Sequence, residues 1–186
     1  MSDSVERILA AIAALSDEDR VRLFERLTSE AGFPPASQPP MSLGITGSEL
    51  EGPPNYTLVF DGGSQGNPGP GYGSYVLVRG QDGRQDLTRL DFGRQMTNNE
   101  AEYETLIAGL QGLIERLESA GQVPGDTTVE IRGDSALVIR QVEGTWKTKD
   151  DRMRLLRNRA RSLLARFKCH RLVLQPREVS VRVLGH

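Results

Sequence analysis

Hydrophobic and polar positions recur along this chain with two different periods, and the switch between them marks out the elements. Apolar, β-branched and aromatic runs at 56–61, 72–79 and 84–92 read as three successive strands, the last two joined at Asp82-Gly83, a dipeptide suited to a tight hairpin turn. A helical period then takes over, with Glu102, Leu106, Leu110, Leu113 and Leu117 falling on one face of a helix over 99–119. A strand at 127–132, helices at 135–142 and 150–167 and a strand at 171–175 complete the order. Three consecutive strands followed by helix, strand, helices and strand predict an α/β fold: a five-stranded mixed sheet flanked by helices.

Two further segments precede this pattern. In residues 1–31, Ile8, Leu9, Ile12 and Leu15 form one stripe, Ser16 to Asp19 has the form of a capping box, and Val21, Phe24 and Leu27 continue a second short helix, so a small helical hairpin is expected. Residues 32–54 carry Pro34, Pro35, Pro39, Pro40, Pro53 and Pro54 among Gly and Ser and read as an extended linker. The remainder, 55–186, is long enough for one core and too short for two domains.

Three acids stand where apolar elements meet polar sequence. Asp61 ends the run Tyr56 to Phe60 and enters a glycine turn, Glu102 shares a helix face with core leucines, and Asp134 follows Val129 to Gly133. Each has an ordinary alternative. Asp61 could form a turn beside glycine, Glu102 could close a capping box begun by Asn99, and Asp134 could cap the helix after it. A single metal site accounts for all three at once, because an acid in line with core positions is costly without a partner. Carboxylate oxygens suit a hard divalent cation, magnesium with manganese as a stand-in, whereas one Cys and two His give no zinc spacing.

In order and spacing, Asp61-Gly-Gly-Ser-Gln-Gly-Asn67-Pro68-Gly69, Thr97-Asn98-Asn99-Glu100-Ala101-Glu102, Gly133-Asp134-Ser135 and Gly144-Thr-Trp146-Lys147 resemble the ribonuclease H family, type 1, from about Tyr56 to Glu178. The resemblance implies a ribonuclease H-like fold. It also implies an endonuclease that cuts the RNA strand of an RNA–DNA hybrid by a two-metal mechanism, leaving a 3′-hydroxyl and a 5′-phosphate, with Asp61, Glu102 and Asp134 as catalytic metal ligands. Asn67, Thr97, Asn98, Asn99 and Ser135 match substrate-contacting positions near the minor groove and backbone, and Trp146 and Lys147 match a pair lying along the DNA strand. For Trp146 the alternative is an ordinary core aromatic. For Asn67 and Thr97 it is turn and cap chemistry.

The last family motif runs Pro-Arg-Glu-x-Asn-x-x-Ala-Asp and opens a helix carrying a fourth acid. Here Pro176-Arg177-Glu178 is followed by Ser180 in place of Asn and Leu184 in place of Asp, so the final helix is expected to be missing. No histidine lies between Leu174 and Ser180 to match the one many bacterial members carry there. Glu178, the His186 imidazole and the terminal carboxylate are the candidate substitutes for the fourth acid. A catalytically weakened or inactive hybrid-binding module therefore stands as the alternative function.

A net charge of −2 conceals a basic third, since Gly144 to Arg182 holds twelve Lys and Arg against three acids. Those cations alternate with Met153, Leu156, Leu163, Leu164 and Phe167 at helical spacing, so the apolar set is expected to pack on the sheet while the charges face water or a polyanion. The hairpin at 1–31 is acidic instead, with seven Asp and Glu against four Arg, which points away from nucleic acid and towards docking onto the nuclease domain or self-association. Its apolar run lacks a basic leader, no stretch approaches a bilayer span, and one cysteine allows no internal disulfide. A cytoplasmic protein without membrane contact is the expectation.

Overall fold

The computed structural model describes residue 50 and residues 52–185. The hairpin expected at 1–31, most of the linker and His186 lie outside the described residues. All the elements below belong to one compact unit, Thr46–His186.

The strands are β1 (Tyr56–Ser64), β2 (Gly69–Arg79), β3 (Gln85–Met96), β4 (Thr128–Gly133) and β5 (Cys169–Leu174). The helices are α1 (Asn98–Ser119), α2 (Ala136–Glu143), α3 (Asp151–Leu164) and α4 (Arg177–Leu184). One sheet forms in the order β3-β2-β1-β4-β5. The pairs β1–β2 and β2–β3 are antiparallel, whereas β1–β4 and β4–β5 are parallel. This is the mixed five-stranded sheet the pattern predicts. The parallel pairs need crossovers, and α1 supplies the first and α2 with α3 the second.

Alternation decides which face each strand residue covers. Leu58 and Phe60 of β1 and Val129 and Ile131 of β4 join Leu106, Leu110, Leu113 and Leu117 of α1 in the main core. Val59 and Val76 point to the other face, where Leu184 packs on them. The apolar side of α3 joins the main core by packing on α1 and α2, so the expectation that it lies directly on the sheet is corrected: α1 already occupies that face.

Strand ends run further than the pattern suggested. β1 continues past Asp61 to Ser64, and β3 extends to Met96, each held by ladder hydrogen bonds to β2. The β2–β3 connection spans Gly80 to Arg84, with the Asp82 carboxylate accepting from Arg79 Nε at 2.9 Å and from the Arg84 amide at 3.2 Å. The final helix, expected to be missing, is present as the eight-residue α4. It has no side-chain cap, and three of its eight residues are valines, so intrinsic propensity argues against it. Burial of Leu184, fully enclosed against Val59 and Val76, supplies what propensity does not.

Candidate active site

Sheet register brings two of the acids together. The last paired residues of the β1–β4 ladder are Val59 and Arg132. Asp61 and Asp134 each lie two residues further on, hence on the same face and just beyond the end of the parallel pairing. Asp61 sits inside β1, opposite Ser74, and is 6% exposed, so it is not a turn former.

Glu102 reaches the same edge from α1, and a glycine makes this approach geometrically feasible. A Cβ on Gly62 would stand 2.5 Å from the Ala101 carbonyl oxygen and 2.7 Å from the Glu102 nitrogen. With hydrogen there, the first turn of α1 rests directly on β1. The helix is capped by Thr97, whose Oγ1 accepts from the Glu100 amide at 3.2 Å while the Glu100 carboxylate accepts from the Thr97 amide at 2.7 Å. The capping box therefore uses Thr97 and Glu100, and the alternative that assigned it to Asn99 and Glu102 is overturned. Glu102 instead accepts a hydrogen bond from the Ser135 hydroxyl. Ser135 also caps α2, accepting from the Val138 amide at 3.3 Å, which displaces the alternative that Asp134 does so.

The electrostatics tie the acids into one group. The Glu102 carboxyl is pushed up to about 8, chiefly by burial; the Ser135 hydrogen bond and Arg177 oppose the rise, and the negative charges of Asp61 and Asp134 add to it. Arg177, at the start of α4, stands 3.9 Å from an Asp134 oxygen and is itself 71% exposed, so a cation flanks the acids on the solvent side. Arg177 lies within the last sequence motif, but no residue pattern marks its meeting with Asp134, which depends on where α4 lands. Among the described residues, no group of three His, Cys, Asp or Glu side chains stands where it could hold a metal ion. The donor set nonetheless fits a hard cation: all three groups are carboxylates, and their mutual repulsion is what a divalent charge would relieve.

The loops around the acids are stitched by the residues singled out for substrate contact. Asn98 Oδ1 accepts from the Ser64 amide at 2.9 Å and from its hydroxyl at 2.8 Å, and the Asn98 amide donates to Asn67 Oδ1 at 3.1 Å. Asn67 precedes a cis peptide bond to Pro68. Asn99 lies half-buried in the first turn of α1. Trp146 and Lys147 follow Gly144, which ends α2 in a left-handed conformation at φ 93°. Trp146 is 48% exposed and so is not a core aromatic. Leu184, where the resemblance expects a fourth acid, is fully buried, while Glu178 is exposed on α4.

A mixed β3-β2-β1-β4-β5 sheet flanked by helices, matched by solved RNase H1 structures, defines the ribonuclease H-like fold. The chain matches the family described as Reverse transcriptase-like over residues 59–183, and it belongs to that family as a protein of the ribonuclease H type 1 kind. It is 42% identical over 123 residues to ribonuclease HI of Halobacterium salinarum, covering 66% of this chain and 57% of that relative's length. The chain thus spans little more than half of that relative. The crystal structure of RNase H1 from the same organism superposes with a TM-score of 0.57 at 38% identity, covering 70% of this chain and 92% of that one. LC11-RNase H1, solved in complex with an RNA/DNA hybrid, superposes with a TM-score of 0.58 at 29% identity over 69% of this chain and 90% of its own.

Proposed function

We propose that this chain is a divalent-metal-dependent endoribonuclease that hydrolyses the RNA strand of RNA–DNA hybrids. The observation that carries the reading is the meeting of Asp61, Glu102 and Asp134 at one sheet edge, where Glu102 is held up to about 8 chiefly by burial and further by the charges of the other two acids. Family membership and the hybrid bound by LC11-RNase H1 support the choice of substrate.

Asp61, Glu102 and Asp134 would hold magnesium, with manganese as a stand-in. Held there, a pair of such ions would supply the Lewis acidity for water activation and for stabilising the leaving oxygen of an in-line phosphodiester displacement, with a 3′-hydroxyl and a 5′-phosphate as the expected products. The chain's own groups do the rest. Ser135 fixes the Glu102 carboxylate by donating to it, and burial keeps that carboxyl protonated at neutral pH until a cation arrives. Arg177 offers an exposed guanidinium beside Asp134, suited to a backbone phosphate. Thr97, Asn67, Asn98, Asn99 and Ser135 border the acids with amide and hydroxyl groups able to read 2′-hydroxyls. Trp146 and Lys147 present an exposed ring and cation for the DNA strand. Arg152, Arg154 and Arg159 on α3 add sequence-independent attraction that salt screens.

A second reading, a catalytically weakened or inactive hybrid-binding module, is favoured by one observation: Leu184 puts a fully buried methyl pair where the family has its fourth acid. Cleavage of an end-labelled hybrid with and without magnesium, with Asp61→Asn as control, separates the two. Magnesium-dependent cutting lost in Asp61→Asn supports the enzyme; tight binding with no cutting at any metal concentration supports the module. A cytoplasmic location belongs to the same reading. Cys169 is a free, buried thiol, and among the described residues no helix is long and apolar enough to cross a membrane.

A further inference from the structure

Ser74 stands opposite Asp61 in the β1–β2 ladder, and such pairs share a face with their Cβ atoms about 4.5–5.5 Å apart. The face is identified by the next pair along, Gly62 and Gly73, where an added Cβ would run into Ala101 and Thr105 of α1. Asp61 and Ser74 therefore point away from α1, to the side where α4 lies over β1 and β2. One pleat below them on that side, Leu184 rests on Val59 and Val76.

Ser74 is 3% exposed, and its hydroxyl has no hydrogen-bond partner. A buried hydroxyl left unsatisfied is a net cost, and alanine at the same place would carry none of it. The other buried hydroxyl on this side, Ser180 Oγ, already accepts from Gln175 Nε2 at 2.9 Å. What distinguishes Ser74 is its place beside an acid of the cluster, on the face where the fourth acid has become a leucine.

We propose that Ser74 is a positioning residue of the metal site: its hydroxyl donates to the Asp61 carboxylate in the metal-bound protein and fixes that ligand's orientation. The proposal rests on the metal reading given above. Hydrogen-bond partners of metal ligands typically account for about 10- to 100-fold in metal affinity. In the metal-free protein the hydroxyl contributes nothing favourable.

The test is manganese binding to the full chain by calorimetric titration, alongside thermal unfolding in chelator. Ser74→Ala should bind manganese at least about tenfold more weakly and unfold in chelator at the parental temperature or above it. Ser74→Thr, which keeps the hydroxyl, should restore the affinity. Unchanged manganese affinity in Ser74→Ala would overturn the proposal, as would a lower unfolding temperature in chelator, which would mean that the hydroxyl is already engaged without metal. Asp61→Asn separates the two levels: manganese binding unaffected by that change sinks the metal reading itself, whereas its loss there with no effect at Ser74 sinks only the role of Ser74.

Discussion

Replacing Gly62 with alanine tests how closely the acids depend on the seat of α1. The added Cβ would lie 2.5, 2.6 and 2.7 Å from the Ala101 oxygen, the Ala101 carbonyl carbon and the Glu102 nitrogen, all of them backbone atoms. Comfortable contact needs about 3.5 Å, so the first turn of α1 must retreat from β1 by roughly 0.5–1 Å. Overpacking of this kind costs about 1–3 kcal/mol, which in a domain of this size lowers the unfolding temperature by about 2–4 °C per kcal/mol. The effect on chemistry should be larger than the effect on folding, because Glu102 rides on the displaced turn and a misplacement of about 1 Å is worth about 100-fold in rate. Hybrid cleavage under single-turnover conditions and manganese affinity are the two readouts. Gly125→Ala is the control, since its Cβ would meet nothing closer than 3.8 Å and should change neither. If Gly62→Ala folds and retains half of the parental cleavage rate and manganese affinity, the argument that the glycine sets the position of Glu102 is wrong.

Three further outcomes follow from the site. The Glu102 carboxyl titrates near 8 in the folded protein and near 4.5 when unfolded, so the native state holds a proton the unfolded chain gives up. Metal-free stability should fall as pH rises from about 4.5 to about 8, apparent manganese affinity should rise over the same interval, and Glu102→Gln should flatten the stability profile measured in chelator. Leu184→Asp, which writes the family's fourth acid back into the sequence, should lower stability by at least the 2–5 kcal/mol of losing a buried leucine and should not raise the cleavage rate, as scanning calorimetry and the hybrid assay would report. Trp146→Ala should leave the unfolding temperature within a few degrees of the parent yet weaken hybrid binding by about 1–3 kcal/mol, measured by fluorescence anisotropy.

Much of this was legible from residue pattern alone, and the failures are local. The leucine stripe of α1 identified the helix, but its start was ambiguous because Thr97 with Glu100 and Asn99 with Glu102 both offer a polar residue three positions before an acid. What decides between them is β3, which runs to Met96 and delivers the chain to Thr97 already extended. The same holds at Asp134-Ser135, where the strand consumes Gly133 and leaves Ser135 to cap α2. Helix α4 was illegible for a different reason: Val179, Val181 and Val183 favour strand, and only the hydrophobic floor of Val59 and Val76 under Leu184 makes a helix the better solution. Arg177 and Ser74 escaped notice because their meaning is relational. Neither residue type is unusual, and both matter through a neighbour supplied by a distant element.

The parallel join of β1 to β4 has a consequence for how such a site can vary. Asp61 and Asp134 each follow the last pair of that ladder, Val59 with Arg132, by two residues, so the gap between them is set by where the parallel pairing ends. The segments 65–68, after β1, and 144–150, between α2 and α3, can lengthen, shorten or change composition while that gap holds still. Tolerance to insertion and exactness of the reactive centre are thereby assigned to different parts of the same polypeptide.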